Sequence, residues 1–120
     1  MTETARLSLD QTEQQLRQGY SLTFGEWVRV RFFGVDVYQH AAGQFRNLTI
    51  AIRRYPEAPA NYILRGELYL KAHMHSEAAA DFQRALDLAS ADYAASAWGL
   101  LPQALQDRAL HGLAETEPYR

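Results

Sequence analysis

The sequence predicts an all-α fold, and three observations carry that expectation. Apolar residues recur at three- and four-residue steps through most of the chain, as in Tyr38, Ala41, Ala42, Phe45, Leu48, Thr49 and Ile52. Candidate caps and prolines fall where these stripes begin and end. Only residues 20–33 carry a competing strand pattern.

The elements follow in chain order. Asp10 and Glu13 have capping-box spacing, and Gly19 is a stop signal, so a short polar helix is expected over about 10–19. Residues 20–33 allow two readings. As a β-hairpin, Tyr20, Leu22 and Phe24 alternate with Ser21 and Thr23, and Val28, Val30 and Phe32 alternate with Arg29 and Arg31, with Gly25-Glu26 as the turn. As a helix, Thr23 and Glu26 form a capping box. Phe24, Trp27, Val28, Phe32 and Val35 then fall near one face, and Gly34 marks the following turn. The valines favour a strand; the helical context downstream favours the helix.

From Asp36, a candidate N-cap, a helix runs to Arg53 and Arg54, whose charges suit its C-terminal end, and Pro56 and Pro59 close it. A second helix is expected over about 60–72. After a break at 72–75, a third starts near Ser76, with Glu77 in its first turn, and runs out near Ser90. Residues 92–100 are helical in composition. Pro102 suits the first turn of a last helix, whose stripe is Leu101, Leu105, Ala109 and Leu113.

Within this pattern, Tyr62, Gly66 and Tyr69 are followed by Ala78, Phe82 and Ala85 at the separations of a helix–turn–helix repeat. Residues 59–90 thereby resemble a tetratricopeptide repeat, a unit of about 34 residues. Gly66 and Ala78 would be small where the two helices cross, and Tyr69 and Phe82 would fill the space beside the crossing. The chain departs from the family at Arg65, where Leu is usual, at Ser90, where Pro is usual, and at His73, where Gly is common.

The preceding stretch resembles a degenerate copy. Sliding Ala41 onto Ala78 also places Ala42 on Ala79, Phe45 on Phe82 and Leu48 on Ala85. A competing register places Leu48 on Phe82 and Pro56 on Ser90. The resemblance implies one domain over 1–120: an N-terminal helix (1–22), a degenerate repeat (23–58), the best repeat (59–90) and capping helices (91–120). The fold is then a short stack of antiparallel helical hairpins, about two repeats, closed by a C-terminal helix.

Composition narrows the function. The 120 residues contain no cysteine, which excludes disulfides, cysteine metal sites and a thiol nucleophile. Twelve basic and fourteen acidic residues give a formal charge of −2, against a strongly basic nucleic-acid binder. Arg29, Arg31, Arg46, Arg53 and Arg54 are read as solvated faces and helix ends in preference to an anion-binding patch. The most apolar window, 27–38, is interrupted by Arg29, Arg31 and Asp36, so no membrane insertion is expected. Without a targeting segment, the expected location is cytoplasmic.

No spacing assembles a nucleophile with its base, and no glycine-rich phosphate loop occurs, so neither catalysis nor a cofactor is expected. His73-Met74-His75 offers two imidazoles and a thioether, but a polar inter-helix turn explains it without a metal.

What remains is binding. Residues 27–38 crowd Trp27, Phe32, Phe33, Val35 and Val37 together, and a helix apolar nearly all round must be covered. It lies either at the centre of the stack or against another chain, and Trp27 and Phe33 are candidate contacts. The resemblance implies a concave face on the first helix of the repeat, carrying Ile63, Glu67, Leu70 and Lys71. Ile63 and Glu67 depart from the family's basic clamp for C-terminal carboxylates. The implied ligand is therefore an amphipathic helix or apolar segment of another protein. The expectation is an interaction module: an adaptor, an assembly chaperone or an accessory subunit of a larger complex. The alternative is an obligate homo-oligomer, such as a homodimer, that buries the 27–38 face permanently.

Overall fold

The computed structural model describes residues 3–34, 36–95 and 100–119, with backbone alone for 3–10, 92–95 and 100–102. The described residues form six α-helices: α1 (Glu3–Gly19), α2 (Phe24–Phe33), α3 (Val37–Arg54), α4 (Pro59–Lys71), α5 (His75–Ala95) and α6 (Leu100–Thr116). A single 3-10 turn, Glu117–Tyr119, follows. No strand occurs among the described residues, so the all-α expectation holds and the β-hairpin reading of 20–33 is overturned.

Local end signals decide that segment. The Thr23 hydroxyl accepts from the Glu26 N–H at 3.3 Å, and the Glu26 carboxylate accepts from the Thr23 N–H at 3.2 Å. Gly34, at φ 65°, turns left-handed and donates its N–H to the Arg29 carbonyl. Both ends of α2 are thus closed by specific hydrogen bonds, and these outweigh the weak strand preference of Val28 and Val30.

Other boundaries move. α1 begins at Glu3, so the start expected at Asp10 lies inside the helix. Asp36 does cap α3, accepting from the Gln39 N–H at 2.9 Å. Pro59 takes the first turn of α4, where no N–H is needed. α5 runs through Ser90 to Ala95, because serine, unlike the proline usual there, leaves the helix ladder intact. Val35, Trp98 and Gly99 lie outside the described residues.

The core joins α3, α4, α5 and α6, with Leu16 reaching in from α1. α4 and α5 form a hairpin through a short turn in which His73 stands at φ 58°. Its imidazole Nε2 is hydrogen-bonded to the Ser21 hydroxyl. Phe82, fully buried on α5, is the pivot of the packing. A Cβ placed on Gly66 of α4 would lie 3.0 Å from its ring, and one placed on Gly112 of α6 would overlap it outright. Phe82 therefore sits in a notch cut by two glycines from two different helices. Gly66 belongs to the repeat pattern; Gly112 lies outside it.

Arg65 has its reason here too. Its guanidinium forms a two-pronged ion pair with the buried Asp81 of α5, Nε to Oδ2 and Nη2 to Oδ1, both at 2.7 Å. Arg65 thus fixes α4 against α5 by charge as well as packing.

Candidate partner-binding surface

Two surfaces stand out, and one hydrogen-bonded cluster joins them. The first is α2. It packs on α3 over a small area, and none of its residues is buried. Phe24, Trp27, Phe32 and Phe33 are 80%, 47%, 67% and 74% exposed. Trp27 stacks on Phe24 and meets Phe32 edge-on, each with ring centroids 6.1 Å apart. The Arg31 guanidinium lies 5.7 Å from the centre of the Phe32 ring. Of the two placements expected for the 27–38 segment, the centre of the stack is excluded for α2. α1, not α2, supplies the larger neighbouring contact to α3.

The second surface is a cleft of about 380 Å³ between α3 and α4. Leu48, Leu64 and Leu68 make its walls apolar, and Gln44, Asn47, Glu67 and Lys71 supply polar groups. Glu67 and Leu68 lie three and four residues after Leu64, and Lys71 lies four and three after them, so the four form a single stripe on α4.

The sequence-predicted groove residues divide. Glu67 and Lys71 line the cleft. Leu70 packs half-buried against the core, and Ile63, 1% exposed, belongs to the core itself and lends no surface. Trp27 and Phe33 are both exposed on α2 and do not line the cleft. Leu48 and Leu64 join the surface because the cleft is built from two helices, α3 and α4, where the repeat resemblance implies a face on one. The α4 periodicity read one position further round, together with the matching Leu48 on α3, contains the signal.

The rim charges are already paired. Arg108 of α6 holds Glu67 in two bonds, Nη2 to Oε1 at 2.6 Å and Nε to Oε2 at 3.0 Å. Lys71 Nζ donates to Glu26 Oε1 and to the Tyr20 hydroxyl, each at 3.0 Å, and Tyr20 donates to Glu26 Oε2 at 3.0 Å. The Ser21 N–H adds a 2.7 Å bond to the Lys71 carbonyl. This cluster pins the start of α2 to the end of α4, beside the cleft.

Its electrostatics are self-consistent. Burial alone would raise the Glu26 carboxyl, but hydrogen bonds from Lys71, the Thr23 N–H and Tyr20 together hold it down at about 2. Burial would lower the Lys71 ammonium, and its bonds to Tyr20 and Glu26 leave it raised instead. Burial raises the Tyr20 phenol against the pull of Lys71.

The histidine turn offers less. The His73 and His75 rings are 6.0 Å apart, and His75 stacks on Tyr119 with centroids at 3.9 Å. Among the described residues, no group of three His, Cys, Asp or Glu side chains is placed to hold a metal ion. Among them, too, no helix is long and apolar enough to cross a membrane. No family model, curated protein or solved structure matches the chain.

Proposed function

We propose that the chain is a protein–protein interaction module of tetratricopeptide type, serving as an adaptor, an assembly chaperone or an accessory subunit of a larger complex. The observation that carries this reading is α2: a helix closed by hydrogen bonds at both ends, burying none of its residues, with four aromatic side chains exposed. An apolar surface that contributes nothing to its own core, yet is held in a fixed position, is explained by a neighbour that covers it. The cleft between α3 and α4 adds a second recognition surface, with Leu48 and Leu64 for an apolar segment and the paired charges of Glu67 and Lys71 at its edge. The glycine-notched hairpin of α4 and α5 supports the likeness to the repeat family. The reading assigns the chain no catalytic step and no cofactor, and places it in the cytoplasm.

The test is affinity capture from native extract, read by mass spectrometry, with wild type beside Leu64→Glu and Trp27→Ala. Leu64 and Trp27 are both surface residues, so each variant keeps the fold. Partners that disappear with either substitution support the reading. An identical captured set from all three proteins would sink it.

A further inference from the structure

We propose that α2 is a homodimerisation helix, in which two copies of the chain pair their α2 helices antiparallel about a twofold axis at Val28. The proposal rests on the interaction-module reading and deepens it: it names the occupant of α2 and leaves the α3–α4 cleft for a different protein.

The argument starts from spacing. Phe24, Val28 and Phe32 follow one another at four-residue steps, so they form one ridge of α2, flanked by Trp27 and Arg31. Glu26 lies on the opposite side, tied to Lys71, so the ridge faces away from the body of the protein. The ridge has the same chemistry in both directions: aromatic, valine, aromatic. A twofold axis through Val28 therefore sets each Val28 on its own copy, and each Phe24 against Phe32 of the second copy. This is the self-complementarity that an isologous interface requires. Ridges of four-residue spacing pack at a crossing angle of about −50°, and the small valine at the crossing lets the two helices approach.

Charge selects the antiparallel arrangement. A parallel pair would set Arg31 against Arg31. The antiparallel pair sets it opposite Gly25 and beside the Phe24 ring of the second copy, a cation–π partner of the kind it already has in Phe32. The two helix dipoles also oppose one another.

The area suffices. At exposures of 80%, 47% and 67%, Phe24, Trp27 and Phe32 leave on the order of 400 Å² uncovered in each chain. Two copies, with Val28 and the Arg31 stem added, bring the pair to about 1,000 Å², the size at which specific interfaces begin.

The experiment uses the full chain. Sedimentation equilibrium and light scattering of the wild type are expected to show a concentration-dependent dimer. Val28→Arg places two like charges at the axis and is expected to weaken association by more than about tenfold. Because α2 buries no residue, its helical circular dichroism should match wild type, and so should its unfolding midpoint at concentrations low enough that wild type is monomeric. The chain has no native cysteine, so Val28→Cys is a clean probe. A short bismaleimide should join it into a covalent dimer and leave Gln83→Cys, exposed on α5, uncrosslinked. A monomer at all concentrations up to about 100 μM, a dimer that Val28→Arg leaves intact, or a dimer that Cys at position 28 fails to crosslink would each overturn the proposal. A monomer whose α2 still captures a different protein overturns it while sparing the interaction-module reading. A dimer that meets every expectation while capture is indifferent to Leu64→Glu and Trp27→Ala supports it and removes that reading.

Discussion

Gly112→Ala is the sharpest probe of how the core is built. In an open helical position, replacing glycine by alanine stabilises by about 1 kcal/mol, the difference in helix propensity. Gly43, on the exposed side of α3 with nothing within 4 Å of an added Cβ, is such a position. At Gly112 the same methyl group overlaps the Phe82 ring. The ring cannot swing aside, because Gly66 of α4 already crowds the same end of it and the side chain is fully buried. Overpacking of this kind costs about 1–3 kcal/mol. Set against the gain in propensity, Gly112→Ala is expected to lose up to about 2 kcal/mol, or an unfolding midpoint up to about 8 °C lower. Gly43→Ala should instead gain up to about 1 kcal/mol. Urea and thermal unfolding of both variants check the pair. Phe82→Leu frees room in the notch, so Gly112→Ala should cost less in that background than alone, a coupling that a double-mutant cycle reads directly. A Gly112→Ala variant that gains stability as Gly43→Ala does, or two substitutions whose costs simply add, would refute the notch.

Three further outcomes are expected. Arg65→Met should cost about 3 kcal/mol in urea unfolding, because it strands the buried Asp81 carboxylate; adding Asp81→Ala should recover most of that loss. His73→Gly should be more stable than His73→Ala by about 1 kcal/mol, since both lose the bond to Ser21 but only glycine adopts the positive φ freely. The Glu26 carboxyl, held at about 2 in the folded chain, stabilises the α2 anchor above the ordinary carboxylate range, and that stabilisation is lost as pH falls toward 2. Carboxyl titration by NMR should find the low value in wild type, and Lys71→Met should raise it toward the ordinary range.

Much of this was legible in the residues, and for physical reasons. The stripe of α3 and the six-residue pattern of α4 and α5 could be read because helical packing partners there are close in sequence and repeat with the helix period. Asp36 was readable as a cap because capping depends only on the next few residues. What escaped depends on distant partners. Gly112 acquires its meaning from Phe82, and Arg65 from Asp81, each through a contact between helices that no local period encodes. The segment at 20–33 was undecided because none of its residues is buried; with no core face to set a period, only the caps at Thr23 and Gly34 distinguish helix from hairpin. On the candidate surface, Glu67, Lys71, Trp27 and Phe33 were named from the sequence, whereas the cleft's leucines require knowing that α3 lies beside α4.

The absence of buried residues in α2 also bears on how the chain can change over time. Substitutions in the core are judged first by whether the protein folds. Those on α2 escape that filter, because the helix is held by its caps and by the Tyr20–Glu26–Lys71 cluster at its base. Provided Thr23, Glu26 and Gly34 persist, the aromatic ridge is free to diverge at little risk to the scaffold. Lineages of this chain could therefore exchange one neighbour for another by rewriting a few side chains on a single helix, while the four-helix core that carries it stays unaltered.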